Sequence, residues 1–436
     1  MDRSLPTPTV FGRALALRRA AAYLGAALIA APSAAIVAAA QNDRSALVPA
    51  AKLRYPGWLH GALSPLRLDL DTAALAALLA AMFAGYLIVL ACADALSPRA
   101  AIGSIVGLHV LFMLAPPLIS SDVFGYVDLA RLGTLHGVNP FAPASTHLPP
   151  DQVHVYRRWG TDLPSPYGPL FVLIGYALAP LGIAGALWGF KVLTALASLT
   201  TLWLVWRCAR ALGRDPLRAV VLVGFNPLVL LFAVGGAHND FFATSAVAGA
   251  VYLLVANREQ LAGAAFVAAA AVKIPLGVPL LYAAARPGAR RAELAKGVAI
   301  ATLVAVAVSL AVFGADVVNF AGEVLNQQDR VATYSIPNQL SVLLGFDGLT
   351  SGIRAIATLG LVATVVATLR RTWRGGDWIA GAGWATFALL VTSAWLLPWY
   401  VVWLLPLAAL SESRHLRTAS LCLTAYVVGT RLAIWL

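Results

Sequence analysis

The sequence has few charged residues for its length. Only 11% of its 436 residues are Asp, Glu, Lys or Arg, whereas 60% are hydrophobic. Soluble domains contain about 25% charged residues, so this composition excludes an ordinary soluble protein. Each membrane-spanning helix needs about 20 apolar residues, and the apolar runs lack the alternation of a transmembrane β-barrel. We therefore predict an all-α, polytopic membrane protein with about eleven to thirteen transmembrane helices.

Cysteine is also scarce, and the motifs of several common enzyme classes are missing. Cys92, Cys208 and Cys422 each lie in a hydrophobic run without metal-like spacing, so we assign them no redox or zinc role. There is no P-loop, no GxGxxG after a strand, no HExxH and no GxSxG. These absences disfavour nucleotide-driven and common hydrolytic chemistry. No inverted internal repeat is evident either, which weakens a secondary-transporter interpretation.

The net charge of +12 comes from short basic clusters between apolar runs. Membrane proteins concentrate Lys and Arg on the cytoplasmic side, which explains the excess more simply than nucleic-acid binding does. Arg13, Arg18 and Arg19 precede the first apolar run and predict a cytoplasmic N-terminus. The length of that run favours a retained signal anchor over a cleaved signal. We expect a multi-pass protein of the plasma membrane.

The alternation of apolar runs and basic clusters defines one integral-membrane domain, 1–436. The predicted spans are 20–40, 72–93, 101–119, 184–209, 219–234, 241–256, 296–314, 352–369, 378–397 and 419–436, with a short helix at 401–410. Segment 167–180 is predicted to be a half-helix that returns to the same face. Segment 261–285 is predicted to be a broken hairpin with Lys273 near its apex, because basic residues flank both ends. The main extracytoplasmic loops are then about 41–71, 120–166 and 315–338.

Asp122 ends a hydrophobic run at the predicted outer membrane boundary. Partial burial there is expected to raise its pKa and to make it a better proton acceptor. A helix N-cap is an equally good interpretation, because SSD precedes the amphipathic run 123–135. That run is expected to lie on the outer leaflet with Asp128 and Arg131 facing water. An extracytoplasmic site would fit the carboxylates that gather in the predicted outer segments.

Three further motifs carry polar or aromatic residues at predicted span ends. In GGAHND, His238, Asn239 and Asp240 suit sugar or acceptor binding better than metal binding, and a helix N-cap is the alternative. Lys273 lies in an apolar run, where an ammonium either binds an anion such as phosphate or extends to the interface. Trp399 and Tyr400, together with Trp403, suit an aromatic belt or a stacking face for sugar.

The residues alone fit two classes of membrane protein, an enzyme and a transporter. In a transporter or lipid flippase, Asp122, Asp240 and Lys273 would form an ion or proton pathway. In an enzyme, the polar groups of the loop at 120–166 and of the motifs above would form a substrate site. The predicted substrate-binding residues are Tyr126, Asp128, Arg131, Asn139, Arg157, Arg158, Tyr167, His238, Asn239, Asp240, Lys273, Trp399 and Tyr400.

Six segments, taken in order, resemble a known family. They are SDVFGYVDLARL, HGVNPF, SPYGPL, NPLVLLFAVGGAHND, AAAAVKIP and LLPWYVVWLLP. Together they resemble the GT-C glycosyltransferases that use polyprenyl-phosphate sugars, most closely the actinobacterial polyprenol-phosphomannose-dependent α-1,6-mannosyltransferases. The resemblance implies inverting transfer of a sugar, expected to be mannose, to an extracytoplasmic glycan or glycolipid acceptor. The catalytic acid of the family falls on Asp122.

The implied reaction makes modest chemical demands. A phosphate leaving group departs as a stable anion, so one base that accepts the proton of the acceptor hydroxyl is enough. Asp122 would be that base, and Lys273, Arg157 or Arg158 would stabilise the phosphate. No cofactor is expected and no metal site is predicted. The expected partners are the lipid-linked donor, the acceptor and membrane lipids, without nucleic acid.

Overall fold

A computed structural model describes residues 8–42, 45–49, 55–143, 148–157 and 163–435, which are helical and contain no β-strand. The α-helices are α1 (Pro8–Ala39), α2 (Gly57–His60), α3 (Thr72–Ala91), α4 (Pro98–Leu114), α5 (Asp122–His136), α6 (Pro169–Leu178), α7 (Gly182–Ala211), α8 (Pro216–Gly224), α9 (Asp240–Val255), α10 (Glu259–Val272), α11 (Pro279–Ala285), α12 (Arg291–Phe313), α13 (Asn319–Asn326), α14 (Ile336–Leu343), α15 (Ser351–Trp373), α16 (Trp378–Thr392), α17 (Leu405–Leu410) and α18 (Arg414–Trp435). The predicted all-α class of a polytopic membrane protein is confirmed.

The number of membrane spans follows only partly from helix length. By length and composition, 5 helical stretches of the described chain can cross a membrane, or 6 with one bent pair, and other apolar helices have 10–17 residues. The predicted eleven to thirteen spans therefore stay a prediction. Leu303 on α12 is 70% exposed and Leu359 on α15 is 68% exposed. Apolar faces of this kind are suited to contact with lipid chains.

The half-helix predicted at 167–180 corresponds to α6, which has 10 residues. Gly182, with φ +72, turns the chain between α6 and α7, a conformation that glycine adopts at little cost. The rings of Phe171 on α6 and Phe190 on α7 lie 5.5 Å apart between centroids. Because these residues are distant along the chain, α6 folds back against α7.

The broken hairpin predicted at 261–285 is present as α10 and α11. Lys273 separates them in an extended conformation, with φ −155 and ψ 107. At the opposite end, Arg286 Nη2 lies 2.6 Å from Glu259 Oε1. This ion pair brings the first and last turns of the hairpin together, so Lys273 lies at its apex.

The segment predicted as one span at 219–234 has a different shape. It consists of α8 and a π-helix, Leu228–Val234, which meet at an angle of 53°. Pro227 lies at the break and has no amide hydrogen to continue the helical pattern. Wide π turns occur frequently at functional sites. Every residue of the π-helix is buried, so this segment belongs to the core of the bundle.

The chain leading to Asp122 also differs from expectation. α4 ends at Leu114 rather than at residue 119, because Pro116 and Pro117 follow. Ile119 then has φ +68, a left-handed conformation that is strained for a β-branched residue. Its amide donates to the carbonyl of Leu47 at 2.7 Å. The chain therefore enters α5 through a short, constrained turn.

The helix predicted over 123–135 is present as α5, but it does not lie with its acidic side in water. Asp128 is 1% exposed, because Arg157 and His154 hold its carboxylate. The expectation that Asp128 faces water is wrong. An aspartate at such a position is buried when neighbouring cations replace its hydration.

Candidate active site

Four interruptions of helical structure meet at one place. They are the start of α5, the turn between the π-helix and α9, the apex of the α10 and α11 hairpin, and the 3-10 segment Pro398–Trp403. Where regular helix stops, backbone and side-chain polar groups are left for other partners. The residues brought together are Asp122, Tyr126, Tyr167, His238, Asn239, Asp240, Lys273, Trp399 and Tyr400, all of them predicted, together with Trp403.

Asp122 is the first residue of α5, and its side chain is 34% exposed. The N-cap position belongs to Ser121, whose side chain makes no capping bond. In the described part of the chain, the Asp122 amide donates to Ser120 Oγ at 3.2 Å, but no backbone amide donates to the Asp122 carboxylate. The N-cap interpretation of Asp122 therefore has no support, and its oxygens are available for a ligand.

The electrostatic surroundings of Asp122 differ from the predicted ones. Burial raises the pKa of Asp122, but the contact with His238, the Ser120 hydroxyl and the charge of Lys273 together hold that pKa below its usual value. The expected upward shift is therefore wrong, because neighbouring groups that stabilise the carboxylate outweigh desolvation. Asp122 is ionised at neutral pH and can accept a proton.

His238 is buried beside Asp122, with 1% exposure. Its ring stacks on Trp399 with 3.5 Å between centroids and an interplanar angle of 14°. Nδ1 of His238 lies 3.4 Å from Asp122 Oδ2, yet neither ring nitrogen has a hydrogen-bond partner among the described residues. A buried polar group without a partner is unusual and indicates a missing ligand or water.

Asp240 and Lys273 form an ion pair behind His238. Lys273 Nζ lies 2.8 Å from Asp240 Oδ1, and the Trp403 indole donates to the same oxygen at 2.5 Å. The ammonium also lies 4.4 Å from the Tyr400 ring centroid and 5.1 Å from that of Trp403. Such cation–π contacts stabilise a desolvated cation. Trp403 was not among the predicted substrate-binding residues. Its place in the same motif, PWYVVW, as Trp399 and Tyr400 indicated that it could belong to the site.

Tyr126 and Asn239 complete the wall of the site. The hydroxyl of Tyr126 accepts the Asn239 amide hydrogen at 3.4 Å, and the Tyr126 ring meets the Tyr167 ring edge-on at 4.8 Å. Asn239 occupies the N-cap position of α9, but its side chain makes no capping bond. Asn239 Nδ2 and Asp240 Oδ2 have no hydrogen-bond partner among the described residues. Both motif residues are therefore available to a ligand.

Three predicted binding residues lie in ion pairs on and beside α5. Asp128 is held by Arg157 and by His154 at 3.1 Å, and Arg131 Nε lies 3.0 Å from Asp151. A fourth, Asn139, donates to the Phe313 carbonyl at 2.5 Å and so joins its loop to the end of α12. The substrate roles of Asp128, Arg131, Asn139 and Arg157 stay predictions that these contacts do not favour. Arg158 lies outside the described residues.

An apolar groove of about 500 Å³ runs between α6, α10 and α12. Pro169 and Ala271 line one end, and Gln260 and Gly297 line the other. Pro169 follows Tyr167 closely in sequence, and Ala271 precedes Lys273. The groove therefore begins beside the polar site and continues along the apolar helices.

The site residues do not form an evident metal centre. In the ranges that the structure describes, no group of three or more His, Cys, Asp or Glu side chains is arranged to hold a metal ion. Within the site, Asp240 is paired with Lys273, and Asp122 and His238 are the two remaining side chains of these types that approach each other.

Comparison with known proteins identifies related sequences. Residues 16–287 match the family described as "Alpha-(1->6)-mannopyranosyltransferase, N-terminal domain", and residues 333–431 match the "MptB C-terminal domain". A Mycolicibacterium smegmatis protein named "Probable alpha-(1->6)-mannopyranosyltransferase" is 27% identical over 375 residues, covering 73% of this chain and 66% of the relative. Alpha-(1->6)-mannopyranosyltransferase B of Corynebacterium glutamicum is 25% identical over 342 residues, covering 68% of this chain and 56% of the relative.

Alpha-(1->6)-mannopyranosyltransferase A of Mycobacterium tuberculosis is 26% identical over 351 residues, covering 72% of this chain and 66% of the relative. The chain thus spans somewhat less than two thirds of the length of these curated relatives. No solved structure matches the chain.

Proposed function

Because this chain belongs to the alpha-(1->6)-mannopyranosyltransferase family, we propose that it is an integral-membrane mannosyltransferase. It transfers mannose from a polyprenyl-phosphate donor to a glycan or glycolipid acceptor on the extracytoplasmic side, with inversion at the anomeric carbon. The observation that carries the proposal is the ionised, partly exposed Asp122 among buried polar atoms that have no partner within the described ranges. A substrate with several hydroxyl groups would satisfy those atoms.

Asp122 acts as the general base. As the acceptor oxygen bonds to the anomeric carbon, its hydroxyl proton passes to the Asp122 carboxylate, and the bond from that carbon to the donor phosphate breaks. The bonding electrons leave with the polyprenyl phosphate, which is a stable anion and needs no proton from a general acid. The exposure of Asp122 gives an acceptor access, and no backbone amide among the described residues donates to its carboxylate.

The groove between α6, α10 and α12 supports a lipid-linked donor. Its lining is apolar and suits an isoprenoid chain, which would place the phosphate near the groove end formed by Pro169 and Ala271. Lys273 at the hairpin apex is the cation best placed to stabilise the phosphate. Lys273 is paired with Asp240, but it lies beside this groove end, whereas Arg157 is paired with Asp128 on α5 and is therefore a weaker choice than the sequence indicated.

The motif at 238–240 holds the sugar hydroxyls. Leaving a buried polar atom unpaired costs about 1–3 kcal/mol, so a ligand that pairs with such atoms gains affinity. His238 offers both ring nitrogens, Asn239 offers its amide nitrogen and Asp240 offers Oδ2. Trp399 fixes the plane of the His238 ring, which makes the arrangement directional.

The transporter or flippase alternative has less support. It requires Asp122, Asp240 and Lys273 to exchange ions or protons in sequence. Asp240 and Lys273 instead neutralise each other and are held by the Trp403 indole and the Tyr400 ring. Separating this pair would leave charges buried without partners, which is energetically costly.

The proposal is tested by incubating membranes that contain the full chain with radiolabelled polyprenyl-phosphate mannose and a panel of glycan and glycolipid acceptors. We expect labelled product only when the chain is present, with the anomeric configuration opposite to that of the donor. Parallel reactions with a chelator determine metal dependence. Uptake or flipping of the labelled lipid without any glycosylated product would contradict the proposal and favour the alternative.

A further inference from the structure

A lysine that the sequence analysis did not single out lies inside the bundle beside the site. Lys191 on α7 has 0% exposure. Its ammonium lies 6.0 Å from the Trp188 ring centroid, and in the described part of the chain no carboxylate is within ion-pair distance of it. An ionisable side chain is energetically expensive inside a membrane protein and usually marks a function.

The partner of Lys191 is the carbonyl oxygen of Gly235, to which Nζ donates at 2.9 Å. The same oxygen accepts the amide hydrogen of Leu118 at 3.2 Å. Leu118 belongs to the turn that leads into Asp122, and Gly235 belongs to the turn that leads into His238. The Gly235 carbonyl oxygen therefore connects the turn before Asp122 to the turn before His238. Lys191 donates a hydrogen bond to this same oxygen.

Both turns contain strained backbone. Ile119 has φ +68 and Ala237 has φ +56, and residues with side chains rarely adopt such left-handed conformations. Strain of this kind persists only where surrounding contacts impose it, and it concentrates at functional sites. The turns also touch closely, because a Cβ atom at Gly235 would lie 2.8 Å from Leu118 Cδ1.

We propose that Lys191 is a positioning residue for the glycosyl transfer: by holding the Gly235 carbonyl, it fixes the separation between Asp122 and His238. This inference rests on the proposed function. Lys191 does not touch the substrate, and its effect reaches the reaction through the two turns. A small displacement of a catalytic group can lower the rate about 100-fold, so the loss of this contact affects turnover more than donor binding.

The test compares Lys191→Met with Thr194→Val in the purified full chain. Methionine fills similar space without an ammonium. Thr194 lies one turn further along α7, is also buried, and its hydroxyl has no partner among the described residues, so it is the matched control. We expect Lys191→Met to lower kcat by about 10- to 100-fold with the donor KM changed less than about twofold. Thr194→Val should keep both values, and Lys191→Arg should recover part of kcat.

A second measurement separates this inference from the proposed function. Hydrogen–deuterium exchange of 118–122 and 235–240 should be about tenfold faster in Lys191→Met, whether or not transfer is detected. If the wild-type chain transfers no sugar, the proposed function fails, and exchange alone decides the role of Lys191. If Lys191→Met does not fold, Lys191→Gln replaces it in both measurements.

The inference is overturned by unchanged exchange, by a kcat within about twofold of wild type in a folded variant, or by equal losses in Lys191→Met and Thr194→Val. Failure of both neutral variants to fold also overturns it, because Lys191 would then be needed for folding rather than for positioning.

Discussion

Two clusters of the same residue types lie at opposite ends of the short helix α5. At its start, Asp122 and His238 approach each other, and His238, Asn239 and Asp240 retain polar atoms without partners among the described residues. Further along, Asp128 and Asp151 each receive one arginine and one histidine. Residue type does not separate the two clusters, but hydrogen-bond satisfaction does. This difference supports the proposal that the first cluster binds a ligand, whereas the second stabilises the fold.

The Asp128→Asn variant tests most directly whether the second cluster stabilises the fold. The change removes the carboxylate that forms an ion pair with the buried Arg157, and breaking a buried pair costs about 3–5 kcal/mol. We expect a large loss of thermal stability in detergent, measured as the free energy of unfolding or as the transition temperature. Asp69→Asn, at an acid of the predicted outer loop at 41–71, serves as the control. Unchanged stability in Asp128→Asn would show that the second cluster is not structural.

The stability of the second cluster should also depend on pH. Burial raises the pKa of Asp151, but Arg131, the Val153 amide and His136 outweigh it and lower that pKa to about 2. The folded-state pKa is below the unfolded value, so the stabilisation is complete above about pH 4 and is lost as pH falls towards 2. We expect a loss of about 1–2 kcal/mol over this window, measured by unfolding at several pH values. In Asp151→Asn this contribution should be missing at every pH.

A smaller effect is expected on activity. It should distinguish Lys273, which pairs with Asp240 of the first cluster, from Arg131, which pairs with Asp151 of the second. Lys273→Gln removes the charge proposed to stabilise the donor phosphate and also leaves Asp240 without its cation. We therefore expect kcat/KM for the donor, measured per folded molecule, to fall about tenfold. Arg131→Gln removes a cation that Asp151 already neutralises, and it should leave this ratio unchanged per folded molecule. Equal losses in the two variants would contradict the division between the clusters.

The sequence was sufficient for features that depend on local pattern. Basic residues at both ends of 261–285 predicted the hairpin with Lys273 at its apex, and the Arg286 to Glu259 ion pair agrees with it. A carboxylate at the end of an apolar run singled out Asp122, which the structure brings to His238, and its role in the reaction stays a prediction. Lys191 was also detectable, because a lysine inside an apolar run carries the same signal as Lys273.

Features that depend on contacts between distant residues could not be predicted. Nothing local indicates that Arg157 neutralises Asp128, so both were predicted to bind substrate. The lowered pKa of Asp122 depends on His238, which lies far away in the sequence. The π-helix before GGAHND follows from packing in the core, although Pro227 was a local signal for the 53° bend at its start.

The central claim is that Asp122 accepts the proton of the acceptor hydroxyl. The most direct test measures mannose transfer and donor binding in the same preparation of Asp122→Asn, because asparagine preserves the shape of the side chain but cannot accept that proton. We predict that transfer falls at least about 100-fold, while binding of the lipid-linked sugar and thermal stability stay close to those of the wild-type chain. Transfer at a near wild-type rate would contradict the account.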